Sequence, residues 1–389
     1  MAKTVIILGA GVGGLSVAAK LRESLPEQDR IILIDERFEG VLGLSLLWVL
    51  RGWRTPDEVV YRPAPAVLPG VELVKATVKL VDPERKRVVT TEEEFAGDAL
   101  VIALGAELAP SATPGLEEAL DGAWAGEFFT LHGAAALGER ARKLGEGRLG
   151  VVVAGTPFKC PAAPFEGALL LADLLGEIGA RERVRVDAYT PDPLPMPVAG
   201  PAIGEALVGM LTSYGIGFHG GRVAEALDGS TGEIVFADGG RERFDLVAVV
   251  PPHRAPAAVR AAGLGPSGWI AVDRRTLATS APGVWAIGDV TLLTLPNGKP
   301  LPKAAVFAEG AADVVAHGVL RHLGLPAPEP WFDGLGSCYI EVGGRMSAKG
   351  EGRFLDEPAP TVTLHEPSLA FHDEKAAQEA VWLKRWNAR

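Results

Sequence analysis

The apolar residues of this chain fall into short unbroken runs separated by glycine turns and by longer Ala/Leu-rich stretches. Val5-Ile6-Ile7-Leu8 and Ile31-Ile32-Leu33-Ile34 are continuous apolar tetrads. Such runs suit strands covered on both faces, as in a parallel sheet, whereas half-exposed strands alternate. Between the two lie a glycine-rich turn and a predicted helix reaching about Ser24, so the order is strand, turn, helix, strand. A second unit of this kind opens at Gly150-Val151-Val152-Val153-Ala154. It continues through a predicted helix from about Pro164 to Ile178 and returns to a strand at Val184 to Ala188. Glu233 to Val250 alternates instead, around the hairpin signal Asp238-Gly239. A third region begins at Trp269-Ile270-Ala271-Val272 and leads into Gly283-Val284-Trp285-Ala286-Ile287-Gly288-Asp289. Beyond Pro330 the pattern changes to short strands and glycine turns, closing with a helix predicted over about Glu374 to Trp386.

With 389 residues the chain has room for two or three domains. Apolar residues at 48% and charged residues at 22% describe a globular protein. The net charge of −11 and the lack of a basic cluster argue against a nucleic-acid surface. Because Met1 to Gly9 runs straight into a strand and its turn, no cleavable leader is expected and the cytoplasm is the default compartment. Val41 to Leu50 is about half the length a membrane span needs. Two Asn and two Gln against 30 Pro suggest a thermophilic source. No set of metal ligands stands out. There are two cysteines, Cys160 and Cys338, and on count alone they would be inert buried thiols.

Their surroundings change that view. Gly9, Gly11 and Gly14, with Gly13 beside them, form GxGxxG between a strand and a helix, and Asp35 ends the next strand. The glycines let backbone approach a pyrophosphate at a helix N-terminus, and the acid accepts ribose hydroxyls. The strand leading to Gly288 and Asp289 delivers one more carboxylate. In two-dinucleotide flavoproteins such a strand returns to the first domain and its Asp meets the flavin ribityl chain, so the two motifs together indicate FAD. Asp98 to Gly105 resembles a further flavoprotein landmark, with Leu104 where a threonine is usual. In the second unit the strand is followed by Gly155-Thr156-Pro157-Phe158-Lys159-Cys160-Pro161-Ala162-Ala163-Pro164-Phe165-Glu166. One glycine, three prolines and a bulky Phe cannot cradle a second pyrophosphate. The loop instead presents Cys160 near a helix start beside Lys159, an arrangement that favours thiolate.

Val151 to Leu175 resembles the signature segment of the sulfide:quinone oxidoreductases and of the flavoprotein subunit of flavocytochrome c sulfide dehydrogenases. Both lie within the FAD-dependent pyridine nucleotide-disulfide oxidoreductase superfamily. Pro195 to Gly200, Val250 to Arg254, Leu301 to Glu309 and Gly336-Ser337-Cys338-Tyr339 match in family order. The resemblance implies an α/β fold of two Rossmann-like domains plus a C-terminal α+β segment. The expected division is an FAD-binding domain over 1–108 and 256–330, an insert over 109–255 carrying Cys160, and a segment 331–389 carrying Cys338. It implies that Cys160 and Cys338 meet at the flavin as a redox disulfide that oxidises sulfide. Electrons would pass through FAD to a quinone or cytochrome acceptor. Glu166 is then the candidate proton acceptor, and Lys303 the candidate cation beside the reduced flavin. His132 lies where quinone-reducing relatives often carry a histidine, and a structural role suits it as well. No cysteine stands near Leu42, so FAD is expected to be non-covalent. The tail Trp382 to Arg389 has the composition of an interfacial anchor, which would allow peripheral membrane contact, though packing as a last core helix suits it better. Three rival readings remain: a type II NADH dehydrogenase, a CoA-disulfide or persulfide reductase, and a non-catalytic flavin-binding partner subunit.

Overall fold

The computed structural model describes residues 2–387. The first unit holds β1 (Thr4–Leu8), α1 (Val12–Ser24), β2 (Arg30–Asp35), α2 (Gly43–Arg51), β3 (Glu72–Lys75) and β4 (Ala99–Ile102). The second holds β5 (Ala125–Gly126), α3 (Leu131–Ala141), β6 (Gly147–Val153), α4 (Ala163–Glu177), β7 (Val184–Tyr189), β8 (Gly217–His219) and β9 (Leu246–Val250). The chain then supplies β10 (Val284–Ala286), α5 (Ala305–Gly310), α6 (Ala312–His322), β11 (Leu335–Gly343), β12 (Met346–Arg353), β13 (Thr361–Ser368) and α7 (Leu369–Trp386). Among the described residues no helix is long and apolar enough to cross a membrane.

Two parallel five-stranded sheets result, ordered β10-β4-β1-β2-β3 and β5-β9-β6-β7-β8. In the first, Val5 lies opposite both Ile31 and Ala99, and the tetrads are buried on both faces as their sequence requires. Late strand β10 joins this sheet beside β4, pairing Val284 with Leu100. Its C-terminal end therefore emerges beside the glycine turn after β1, at the edge where parallel sheets receive ligands. The alternating region divides where its alternation stops. Glu233–Phe236 and Arg241–Arg243 form the expected hairpin pair, but Leu246–Val250, apolar and buried at every position, leaves it to become β9 of the second sheet.

The C-terminal strands β11, β12 and β13 form an antiparallel sheet. Ile340 and Val342 of β11 share a core with Leu169, Leu170 and Leu171 of α4, so the two segments that carry the cysteines are packed together. The last helix begins at Leu369, ahead of the predicted Glu374, because the Ser368 hydroxyl accepts the Phe371 N–H and caps its first turn. Trp382 and Trp386 are buried, the former edge-on against Tyr61 with ring centroids 5.7 Å apart. The tail's tryptophans thus anchor a core helix and do not form a lipid-facing stripe.

Candidate functional site

Cys160 closes the loop between β6 and α4 with φ of 55°, a left-handed conformation that residues with a Cβ avoid. Two backbone hydrogen bonds hold it there. The Cys160 N–H donates to the Lys303 carbonyl at 2.7 Å, and its own carbonyl accepts the Ala163 N–H at 2.9 Å. Cys338 comes from β11. Both are free, half-buried thiols. Burial, followed by the Glu166 carboxylate, pushes the Cys160 thiol up to about 11, with Lys375 opposing. Burial also pushes the Cys338 thiol up to about 12, and the charge of Cys160 is its next largest influence. The two sulfurs therefore lie within each other's field. The thiolate expected from Lys159 is not found: the Lys159 charge falls on Asp289 and His253, and burial outweighs the helix start. Protonated thiols of this kind need a base beside them.

Glu166 supplies one. It lies in the first turn of α4 and is 3% exposed, so the helix-start position does not keep it in water. Its Oε1 receives the Lys375 ammonium at 2.5 Å. Burial pushes its carboxyl up to about 7 against the pull of Lys375, and the Glu341 carboxylate raises it further. Lys375 Nζ is also 3.6 Å from Glu341 Oε1 and 4.8 Å from the Trp48 ring centroid. Glu341 in turn accepts Trp48 Nε1–H at 3.0 Å and lies 3.0 Å from His372 Nδ1. These partners are absent from the sequence reading. Lys375 and His372 are one helical turn apart on α7, and their i, i+3 spacing is the one trace of the cluster that the sequence carries.

Lys303 acts through its backbone as much as its charge. Its carbonyl holds Cys160, while Nζ donates to the carbonyls of Asp289 at 2.7 Å and Thr291 at 2.8 Å. The ammonium also stands 3.6 Å from the Trp269 ring centroid, and burial brings it down to about 8. Lys303 therefore ties the thiol loop to the Asp289 turn. His253 was not singled out as a site residue. It is buried there and held neutral at about 4, mainly by burial and then by Lys159, with Nδ1 2.9 Å from the Pro251 carbonyl. His132 is exposed on α3, away from this cluster.

The glycine turn is built as its motif requires. Gly9 has φ of 96°, and a Cβ on Gly14 would collide with the Gly9 carbonyl oxygen. Gly13 lets α1 approach Ile287, whereas a Cβ on Gly11 or Gly105 would meet nothing within 4 Å. Asp35 accepts N–H groups from Ala10 at 2.8 Å, Arg37 at 2.8 Å and Phe38 at 2.7 Å. It braces the turn itself and keeps roughly one acceptor position for a ribose hydroxyl.

Residues 3–312 match the model of the pyridine nucleotide-disulphide oxidoreductase family. The chain belongs to this family. Members of the pyridine nucleotide-disulphide oxidoreductase family are flavoproteins, and the chain is a flavin-dependent oxidoreductase with FAD as its cofactor. Among relatives, it is 26% identical over 398 residues to a mitochondrial sulfide:quinone oxidoreductase of Dictyostelium discoideum, covering 98% of this chain and 83% of the relative. It is 25% identical to a type II NADH:quinone oxidoreductase of Staphylococcus aureus, covering 92% and 90%. In fold it is similar to the sulfide:quinone oxidoreductase of Aquifex aeolicus, with a TM-score of 0.83 and 22% identity over 99% of this chain and 92% of that one.

The residues present fit FAD. The open space ahead of Gly11 and Gly105 suits close passage of a pyrophosphate, and the α1 N-terminus faces it. Among the described residues the Asp289 carboxylate accepts no hydrogen bond, and its pKa is raised by burial. It is ready to receive ribityl hydroxyls beyond the end of β10, with Gly288 (φ of 80°) turning the backbone there.

Proposed function

We propose that this protein oxidises sulfide through a Cys160–Cys338 redox pair, with FAD passing the electrons to a quinone. The observation that carries the reading is the convergence of the chain's two cysteines, delivered by separate segments, beside one buried base. In this reading the discontinuous FAD domain spans 1–108 and 256–330, and the segments 109–255 and 331–389 each contribute one cysteine. Hydrosulfide attacks the Cys160–Cys338 disulfide, leaving a persulfide on one sulfur and a thiolate on the other. Glu166, with its carboxyl near neutrality, takes up the proton set free. Bound FAD supplies the two-electron acceptor. The quinone acceptor is favoured over a cytochrome by the relatives' own activities.

A second reading, NADH oxidation, is favoured by the type II relative. Against it stands the Gly155–Cys160 loop, where a Cβ on Gly155 would already press on the Pro252 ring at 2.9 Å and a second pyrophosphate finds no glycine cradle. The deciding experiment is an anaerobic titration of the yellow protein with sulfide and, separately, with NADH, following flavin absorbance. Sulfide is expected to bleach the flavin, and Cys160→Ser and Cys338→Ser to keep the flavin but lose that response. Bleaching by NADH alone would move the protein to the second reading.

A further inference from the structure

Behind Glu166 the protein keeps a run of buried ionisable groups that the thiol chemistry above does not use. Glu166, Lys375, Glu341 and His372 are 3%, 1%, 0% and 7% exposed, so the run leads from the thiol site to a residue with a sliver of surface. Its links are 2.5 Å from Glu166 Oε1 to Lys375 Nζ, 3.6 Å on to Glu341 Oε1, and 3.0 Å from there to His372 Nδ1. Rotation of the flexible lysine stem shortens the middle link. We propose that these four side chains form the proton exit of the thiol site, with His372 as its outer end.

The proposal rests on the sulfide-oxidising reading and deepens it. When hydrosulfide attacks the disulfide, the bond between the cysteine sulfurs breaks and a bond to the sulfide sulfur forms. The sulfide sulfur is oxidised and the disulfide reduced, and the electron pair leaves later through the cofactor. The single proton that hydrosulfide brought must also leave, and both cysteine sulfurs are buried.

Charge balance makes the run labile. Two carboxylates face one ammonium, so burial favours keeping one extra proton in the group, shared between Glu166 and His372. Apolar side chains would fill the same core at lower cost, which makes a purely structural purpose a poor account. The surroundings help the proton onward. His372 lies between Trp48 and Trp53, with ring centroids 5.5 Å away on each side. Arg54, paired with Glu379 at 2.8 Å, lies over Trp48, and Arg51 and Arg345 lie over Trp53. These cations disfavour a resting imidazolium, so His372 passes the proton on. On the inner side the groups facing Glu166 and Cys160 are Cys338, Lys375, Glu341 and Asp289.

Two readouts test this on the holoenzyme. In anaerobic stopped flow with a pH-indicating dye, wild type is expected to bleach and release its proton together. In His372→Gln and Glu341→Gln, proton release slows on the order of a hundredfold, and in His372→Gln added imidazole restores it. Normal release in both variants, or a slow release in His372→Gln that imidazole leaves untouched, overturns the exit while sulfide bleaching stands. Failure of sulfide to bleach wild type overturns the sulfide reading and the exit with it. The second readout needs no turnover: a carboxylic-acid infrared band titrating near pH 7, lost in Glu166→Gln and moved in Lys375→Met and His372→Gln. A band that ignores Lys375 and His372 overturns the connected run.

Discussion

The two parallel sheets have the same topology, yet the turns at their ligand-facing edges do opposite things. After β1, glycines with no room for a Cβ bring α1 hard against the strand and leave open space over Gly11. After β6, the loop carries Lys159, Cys160 and prolines, and its end is pinned by a hydrogen bond from Cys160 to Lys303. Bare backbone N–H groups make an anion cradle, whereas a side chain in the same place holds chemistry of its own. The comparison teaches that the second sheet keeps its strand-and-helix frame as a mount for a thiol.

The largest effect expected from breaking this contrast is at Gly14. Gly14→Ala drives a methyl into the Gly9 carbonyl, so the protein should purify without flavin and melt earlier. Gly155→Ala should stay yellow, since its neighbour is a proline ring that can shift. The ratio of flavin to protein absorbance, with a thermal melt, checks both. Next comes Lys375→Met, which strands Glu166 and Glu341 in the core. A loss of about 3–5 kcal/mol is expected, read from the urea midpoint, and an unchanged midpoint would show that the pair carries little.

A smaller effect follows from the Glu166 carboxyl near 7. The accepting form is the ionised carboxylate, present above that pH. At saturating sulfide the rate should therefore fall about tenfold per pH unit as pH drops below 7. Glu166→Gln should be slow and lack that limb. The smallest expected change is none at all: NADH added to wild type should give no saturable flavin bleaching, because the second turn offers no cradle.

Much of this was legible from local pattern. The tetrads in β1 and β2, the GxGxxG turn, Asp289 after its strand and Cys160 before α4 all depend on residues near one another in the chain. Local order also announced what the second turn lacks. Sequence reasoning went astray where the answer depended on what was packed overhead. Lys159 sits beside Cys160 in the chain but acts on Asp289 and His253, and the tail tryptophans look amphipathic yet are buried.

The sequence by itself therefore determined the alternation of strands and helices, the dinucleotide turn and the identity of the two thiols. Those features are set by steric limits and periodicity within a few residues. Only the tertiary structure decided that Cys338 joins Cys160, that Glu166 is paired with Lys375, and that Glu341 and His372 stand behind them. These contacts link α4, β11 and α7, whose residues lie far apart in the chain. Burial then shifts their protonation by amounts that no local spacing encodes.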